Sequence, residues 1–521
     1  MAACLPSDCL LNIFSYFEGD ARSLHSFLLT NRNWCLSVVP LLWRRTFYIT
    51  SHSNFSSKKR SKLVVTYLTC LDEKIIPFSS TSTASHKPRL PTFDYATFLR
   101  GFDFYDVYHA VGNWYAFQTP ERRRKISFDR FHDMSDDECR KLFITRELMK
   151  QFIRSSPIID YLALDAEQSL PPQCWSLSNF SDNHNSLKYI RTFVCRGNAN
   201  KQEVYAALSQ WCQNIEFLSI HGIGKDDPSG ESLSNLIKVQ RQLREFVLWN
   251  GTRDQLPQII RALAFRGEKL KSLEFRFCDF SKSTPLETLA NSCAGLKTFK
   301  LIRCGEIHSN LSESCLTPVF LDLINLDLQG TYISSESLDV IFKWSNINLR
   351  SLHVESTGGR FRIPKILESI ASHCLNITYL KVRTKKDKLS QLATLLRSCR
   401  NLHSLKIYGS PPDRLFFFVQ DTDDELLLSL RQTIPINLKT LVLKTDCAFT
   451  SLAIDAFLKD CGTELKHFEY VSYGSVWQHL NVMKKYAKRR GLEIEKQIAG
   501  NYKELLMREL GYIIMEFGKI S

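Results

Sequence analysis

A short phrase recurs twelve times along this chain: an apolar residue, two variable residues, an apolar residue, a variable one and another apolar one. It runs as IDYLAL from Ile159, LKYIRT from Leu187, IEFLSI from Ile215, LREFVL from Leu243, LKSLEF from Leu270 and LKTFKL from Leu296. It continues as LINLDL from Leu323, LRSLHV from Leu349, ITYLKV from Ile377, LHSLKI from Leu402, LKTLVL from Leu438 and LKHFEY from Leu465. The start-to-start steps are 28, 28, 28, 27, 26, 27, 26, 28, 25, 36 and 27, so one step is long and the rest are nearly constant. Alternation within the phrase reads as a short strand with one face buried. Helical patterns such as SLSNLIKVQ and QLATLLRSC fill the intervals. No such unit can bury its apolar face alone, so neighbouring units must stack.

One strand and one helix per turn of about 27 residues is the leucine-rich-repeat unit. The predicted fold is α/β, a leucine-rich-repeat solenoid with a parallel sheet on the concave side and helices on the convex side. At roughly 150 residues per domain a chain of this length would hold three or four globular domains. The repeat replaces that expectation with one array of about twelve units over residues 155–474. Residues 51–154 read as a linker and an irregular N-terminal cap: 51–62 a linker, 63–71 a short helix, 78–90 a loop, and 91–126 an aromatic-rich segment packed on the first repeats. Residues 127–154 read as a helix covering the open edge of the first strand, which needs capping. Residues 475–521 read as a helical C-terminal cap.

Eight of the 16 cysteines fall into the same register. Cys212, Cys293, Cys374 and Cys399 sit three residues before a phrase and Cys461 four before, while Cys195, Cys278 and Cys304 sit eight after a phrase start. No CxxC pair occurs. Buried thiols packed as small hydrophobes are expected at these slots, without metal or redox chemistry.

Composition removes further classes. An apolar fraction of 44% and a charged fraction of 23% suit a folded chain, not a disordered one. No stretch approaches the roughly 18 apolar residues of a membrane span. The start, MAACLPSDCLLNIF, lacks a basic n-region, so a secretory signal is not expected and a cytoplasmic or nuclear location is. Enzyme signatures are missing: the GxG at Gly222-Ile223-Gly224 lacks a third glycine, and GxSxG, GxxxxGK and HExxH do not occur. The chain therefore reads as non-catalytic, with no cofactor and no metal.

The first 50 residues differ from the rest. Leu5, Leu10, Leu11, Ile13, Phe14 and Phe17 have helical spacing, and Asp20 is placed to cap a second helix carrying Leu24, Phe27, Leu28 and Leu29. Trp34, Val38, Val39, Leu42 and Trp43 continue the pattern. Two or three short helices with more large apolar side chains than they can cover imply a partner surface. The order Leu5-Pro6, Ile13-Phe14, Asn31-Arg32-Asn33-Trp34 and Pro40-Leu41-Leu42-Trp43 resembles an F-box. With the repeats behind it, the chain resembles an F-box protein with leucine-rich repeats. Leu63-Val64-Val65-Thr66-Tyr67-Leu68 and Pro91-Thr92-Phe93 are similar to the expanded fungal families of this type. The resemblance implies docking on the Skp-type linker of a Skp-cullin-F-box (SCF) ubiquitin ligase, with the repeats binding a protein substrate. Leu5, Pro6, Ile13, Phe14, Leu28, Leu29 and Trp34 match the family's docking positions. A leucine-rich-repeat scaffold with no role in ubiquitination is the alternative.

The third, fifth and seventh positions of each phrase should face the concave side. Among the later ones, Tyr379, Lys381, Arg383, Lys406, Tyr408 and Lys444 make a basic surface expected to receive an acidic or phosphorylated segment. The long step contains Gly409 to Glu425, whose Phe416, Phe417 and Phe418 suggest a lid or a local plug. The net charge is 68 − 54 = +14, partly held in the runs Lys58-Lys59-Arg60, Arg122-Arg123-Arg124-Lys125 and Lys484-Lys485 with Lys488-Arg489-Arg490. Without interleaved aromatics or zinc-finger spacing, these runs do not make nucleic acid the expected partner.

Overall fold

The structure is a computed structural model. It describes residues 5–51, 56–71, 91–126, 128, 130, 134–165, 185–197, 200–222, 229–290, 292–309, 311, 320–345, 347–355, 363–383, 391–409, 422–444, 448–473, 476–501 and 510–519. It divides into two compact units, Met1–Phe246 and Val247–Ser521.

The first unit opens with three helices, α1 (Ser7–Ser15), α2 (Ala21–Leu28) and α3 (Arg32–Leu42). Asp20 caps α2 as its sequence position predicts, accepting from the Arg22 and Ser23 amides at 3.1 Å. Asn31 caps α3, accepting from the Trp34 amide at 2.9 Å. Each cap satisfies donors that a helix start otherwise leaves open. Leu10, Phe14, Leu24 and Val38 form the core between these helices, with Leu5, Phe27, Leu28, Trp34, Leu41 and Leu42 packed against it.

The next stretch is more ordered than its Ser- and Lys-rich composition predicts. Helix Thr46–Ser51 ends the N-terminal segment, and helix Ser57–Leu68 starts inside residues 51–62, read as a linker, and runs on into residues 63–71, read as a short helix. Phe47, Tyr67 and Phe152 pack their rings within 4.9–5.7 Å of one another, which ties these helices to helix Asp136–Ser155. That last helix starts on a reciprocal Ser135–Glu138 capping box.

The sheet begins earlier than the phrases suggest. Strand Gly101–Asp103 pairs in parallel with Tyr161–Asp165, matching Phe102 to Leu162. The repeat array therefore starts inside the region read as a cap. A strand, not a helix, occupies the edge of Tyr161–Asp165. Glycine is required at 101, since a Cβ there would stand 2.6 Å from the Tyr161 Cβ. Thr192–Arg196 and Phe217–Ile220 follow in parallel. Here the register corrects the phrase assigned to Leu187: Tyr161 pairs with Thr192 and Leu162 with Phe193, so the repeat starts at Ile190. Cys195 is then a buried strand position between Leu164 and Ile220, not a residue beyond the strand. Strand Glu245–Trp249 lies across the division between the units.

In the second unit the phrases stand in register. Ser272–Arg276, Thr298–Ile302, Asn325–Gln329, Ser351–Glu355, Tyr379–Arg383, Ser404–Tyr408, Thr440–Lys444 and His467–Tyr473 lie side by side and parallel. One buried row crosses them: Leu273, Phe299, Leu326, Leu352, Leu380, Leu405, Leu441 and Phe468. Helices such as Ser335–Ser345, Ile363–His373 and Leu392–Ser398 connect consecutive strands. This is an α/β leucine-rich-repeat array. Its C-terminal end departs from the helical cap expected over 475–521. Helix Val476–Arg490 is followed by strands Leu492–Asn501 and Leu510–Lys519, and the latter pairs antiparallel with His467–Tyr473.

The cysteine slots are core positions. Cys212, Cys278, Cys293, Cys304, Cys374, Cys399 and Cys461 are buried and free. Burial pushes the Cys212, Cys293 and Cys399 thiols up to about 12, so they stay protonated and unreactive at neutral pH.

Candidate functional site

Two surfaces come from the residues singled out in the sequence. The first is the helical module. Ile13 is 45% exposed and Leu29 71%, and Pro6 is also exposed. Tyr16 at 91% and Leu36 at 51% join them, although the motif did not single these out. Leu5, Leu28 and Trp34 are half-buried against the core. Phe14 is a correction: at 1% exposure it is a core residue, stacked on Phe27 at 5.1 Å and edge-on to Trp34 at 5.0 Å. It shapes the surface without presenting itself. A single residue step along the helix explains the difference between Ile13 and Phe14, because adjacent positions lie about 100° apart.

The module is held to the strands of its own unit by charge. Arg44 and Arg45, just past α3, reach Asp160 at 3.0 and 3.4 Å. Arg45 also lies over the Tyr161 ring at 5.3 Å, and the Arg100 amide donates to the Arg44 carbonyl at 2.9 Å. Beside this clamp is a depression of about 330 Å³ lined by Arg45, Asp160, Arg191, Thr192, Glu216, Phe217, Arg244 and Glu245. Its charges alternate in sign and offset one another, Arg191 standing 3.4 Å from Glu216.

The second surface is the open face of the strands in the second unit. Tyr379, Lys381, Arg383, Lys406, Tyr408 and Lys444 do face one side, alternating with buried residues. The basic surface expected there is, however, partly offset by two carboxylates. Arg383 Nε is 2.7 Å and Lys381 Nζ 3.8 Å from Glu355. Lys444 is 2.9 Å from Glu469. Lys381 and Lys406 each lie over a tyrosine of the neighbouring strand, Tyr408 at 5.3 Å and Tyr379 at 5.7 Å. Parallel pairing causes this, because it sets Lys406 beside Lys381 and Tyr408 beside both Arg383 and Lys444. Glu355 and Glu469 are the counter-charges. Residues 410–421, with Phe416, Phe417 and Phe418, lie outside the described residues.

His353 is buried in the same face and bridges Asp327 at 2.9 Å and Glu355 at 3.2 Å. Burial opposes ionisation of Asp327, but the His353 hydrogen bond and charge outweigh it and hold the carboxyl below its ordinary 3.8. Glu469 is held below its ordinary 4.5, first by the His467 hydrogen bond and, against burial, by Lys444. Depressed folded values mean stabilisation present above the unfolded values and lost as pH falls through the folded ones. The second unit should therefore unfold more easily as pH drops below about 4. Asp327→Asn should flatten that acid limb in denaturation curves recorded from pH 7 to 3; an unchanged limb would show that this pair does not set it.

Among the described residues no group of three or more His, Cys, Asp or Glu could hold a metal ion, and no helix is long and apolar enough to cross a membrane. No family model matches the chain, and no curated protein matches it. Among solved structures, the leucine-rich repeat-containing protein LegL7 from Legionella pneumophila is similar at 14% identity with a TM-score of 0.32, over 65% of this chain and 94% of that one. The chain's own strand register in the second unit, one parallel strand per repeat with the second apolar position of each phrase there in one buried row, makes its fold that of a leucine-rich-repeat array.

Proposed function

We propose that this chain is the substrate-recognition adaptor of a Skp-cullin-F-box ubiquitin ligase. The N-terminal module docks on the Skp-type linker, and through it a cullin, while the repeats hold a protein substrate. The observation that carries the reading is the apolar face left open on α1 and at the end of α2, Ile13 with Tyr16 and Leu29, on helices whose residue order resembles an F-box. Large apolar side chains exposed together on a small module suit a covering partner. The adaptor itself performs no chemistry. It raises the local concentration of a substrate lysine near the conjugating enzyme, the gain that proximity gives any bimolecular step. The Arg44–Arg45–Asp160 clamp serves this role by fixing the docking helices to the first strands of their unit. The reading implies action in the cytoplasm or nucleus.

Co-expression with a Skp-type linker tests it. The unmodified chain should co-purify with the linker, and Leu29→Asp should lower capture by about 100-fold, as expected for a charge placed in the apolar centre of an interface. Absence of co-purification by the unmodified chain would favour the non-degradative scaffold instead.

A further inference from the structure

The residue just before each strand of the second unit forms a row of its own. Its members are Lys271, Lys297, Ile324, Arg350, Thr378, His403, Lys439 and Lys466. Each backbone amide donates to the carbonyl of the member before it at 2.8–2.9 Å, so the row is continuous. Neighbouring members are then about 4.8 Å apart. Five of the eight are Lys or Arg and none is acidic. Lys271 donates to the Gly295 carbonyl at 3.1 Å and Arg350 to the Leu349 carbonyl at 3.3 Å. Among the described residues none of the five basic members has a carboxylate within ion-pair distance. The turns beside the row carry the exposed acids Glu268, Asp322 and Glu464, which leave it net basic.

The same row in the first unit behaves differently. It reads Arg100, Asp160, Arg191, Glu216 and Arg244, with the same ladder at 2.7–2.9 Å. There the signs alternate, and Asp160 and Glu216 are paired with arginines. One structural position thus alternates in sign in one unit and carries basic but no acidic members in the other.

A second track runs beside the basic one. Leu321, Ile347, Leu375 and Ile436 each stand two residues before a phrase, at 41%, 68%, 52% and 77% exposure. The turns that carry them are fixed: Asn348 donates its side-chain amide to the Leu321 carbonyl at 3.0 Å, and Asn376 to the Ile347 carbonyl at 3.3 Å. Exposed apolar side chains on a pinned edge suit a partner more than they suit water.

We propose that this strand-entry edge of the second unit binds an extended acidic polypeptide segment with interspersed apolar residues. The proposal rests on reading the repeats as the substrate-holding part and names the class of substrate they hold. Charge complementarity selects an acidic ligand. The apolar track favours polypeptide over a nucleic-acid strand, because single-stranded nucleic acid needs stacking platforms and the row offers no Phe, Tyr or Trp. The narrowness of both tracks favours a chain over a bilayer, which takes up a broad amphipathic face. The seven steps of the row span about 34 Å, the length of about ten extended residues.

The test uses the purified full chain without any linker protein, so its outcome is independent of F-box docking. A labelled peptide of about ten residues, mixed Glu and Leu, is titrated by fluorescence anisotropy beside a single-stranded oligonucleotide and a phosphatidylserine vesicle. The peptide should bind, more weakly as salt rises. Lys439→Glu with Lys466→Glu, and separately Ile347→Asp with Leu375→Asp, should each weaken it by about tenfold or more, while Arg191→Glu in the first unit leaves it unchanged. All of these side chains are exposed, and unchanged thermal unfolding will show that the fold is intact. No peptide binding, equal binding by the reversed variants, or preference for the oligonucleotide or the vesicle would each overturn the proposal.

Discussion

Replacing Gly267 with alanine should destabilise the second unit by about 3 kcal/mol, the upper part of the range for a forced steric overlap. Gly267 is buried and opens the short turn Gly267–Lys269 that carries helix Leu256–Phe265 into strand Ser272–Arg276. A Cβ at this position would fall on the Ser292 backbone carbonyl and 2.9 Å from Cys293 Sγ. Neither can swing away, since one is backbone and the other is a fully buried thiol slot. The close approach of two repeats thus depends on a pair of small residues, a glycine in one and a cysteine in the next. Gly462→Ala is the control, because nothing lies within 4 Å of its added carbon. It should stay within about 0.5 kcal/mol of the unmodified chain. Chemical denaturation followed by circular dichroism measures both, and equal midpoints for the two variants would show that the Ser292 turn yields freely.

That dependence also explains why the fold could be read so far ahead. Eleven of the twelve phrases start a strand at their third residue, because a stacked repeat has one solution for its buried row. The exceptions have local causes. At Leu187 a helical turn over residues 185–189 precedes the strand, so Leu187 and Ile190 are both fully buried and either fits the phrase. The strand at Gly101 starts an LRGFDF phrase from Leu99, but 60 residues separate it from Ile159, and a lone match has no period to support it. At the C-terminus the alternation in Leu492, Ile494 and Ile498 was a strand signal, overshadowed by the basic helix before it.

The sites were less legible, because charge on a sheet belongs to neighbouring strands and not to one phrase. Lys381, Arg383 and Lys444 look basic in sequence and become part of a partly offset face once Glu355 and Glu469 stand beside them. Lys439 and Lys466 sit one residue ahead of their strands and escaped the alternation rule, which counts only residues inside a strand. Their alignment depends on the parallel hydrogen-bond ladder, which spacing alone does not reveal.

In the N-terminal module, Phe14→Ala and Leu29→Asp should separate folding from docking. Phe14 touches both aromatic partners, Phe27 and Trp34, and shares its core with Leu10, Leu24 and Val38. Emptying that site should cost about 3–5 kcal/mol. A three-helix module with so small a core has little stability to spare. Amide exchange across α1 and α2 should therefore rise by two or more orders of magnitude, as about 1.4 kcal/mol corresponds to tenfold in an opening equilibrium. Linker capture would be lost as a consequence of local unfolding. Leu29→Asp should leave exchange unchanged, since that side chain is 71% exposed, and yet lose capture to a similar extent. Equal exchange in both variants would mean that Phe14 does not hold the module together; retained capture by Leu29→Asp would move the docking face away from the end of α2.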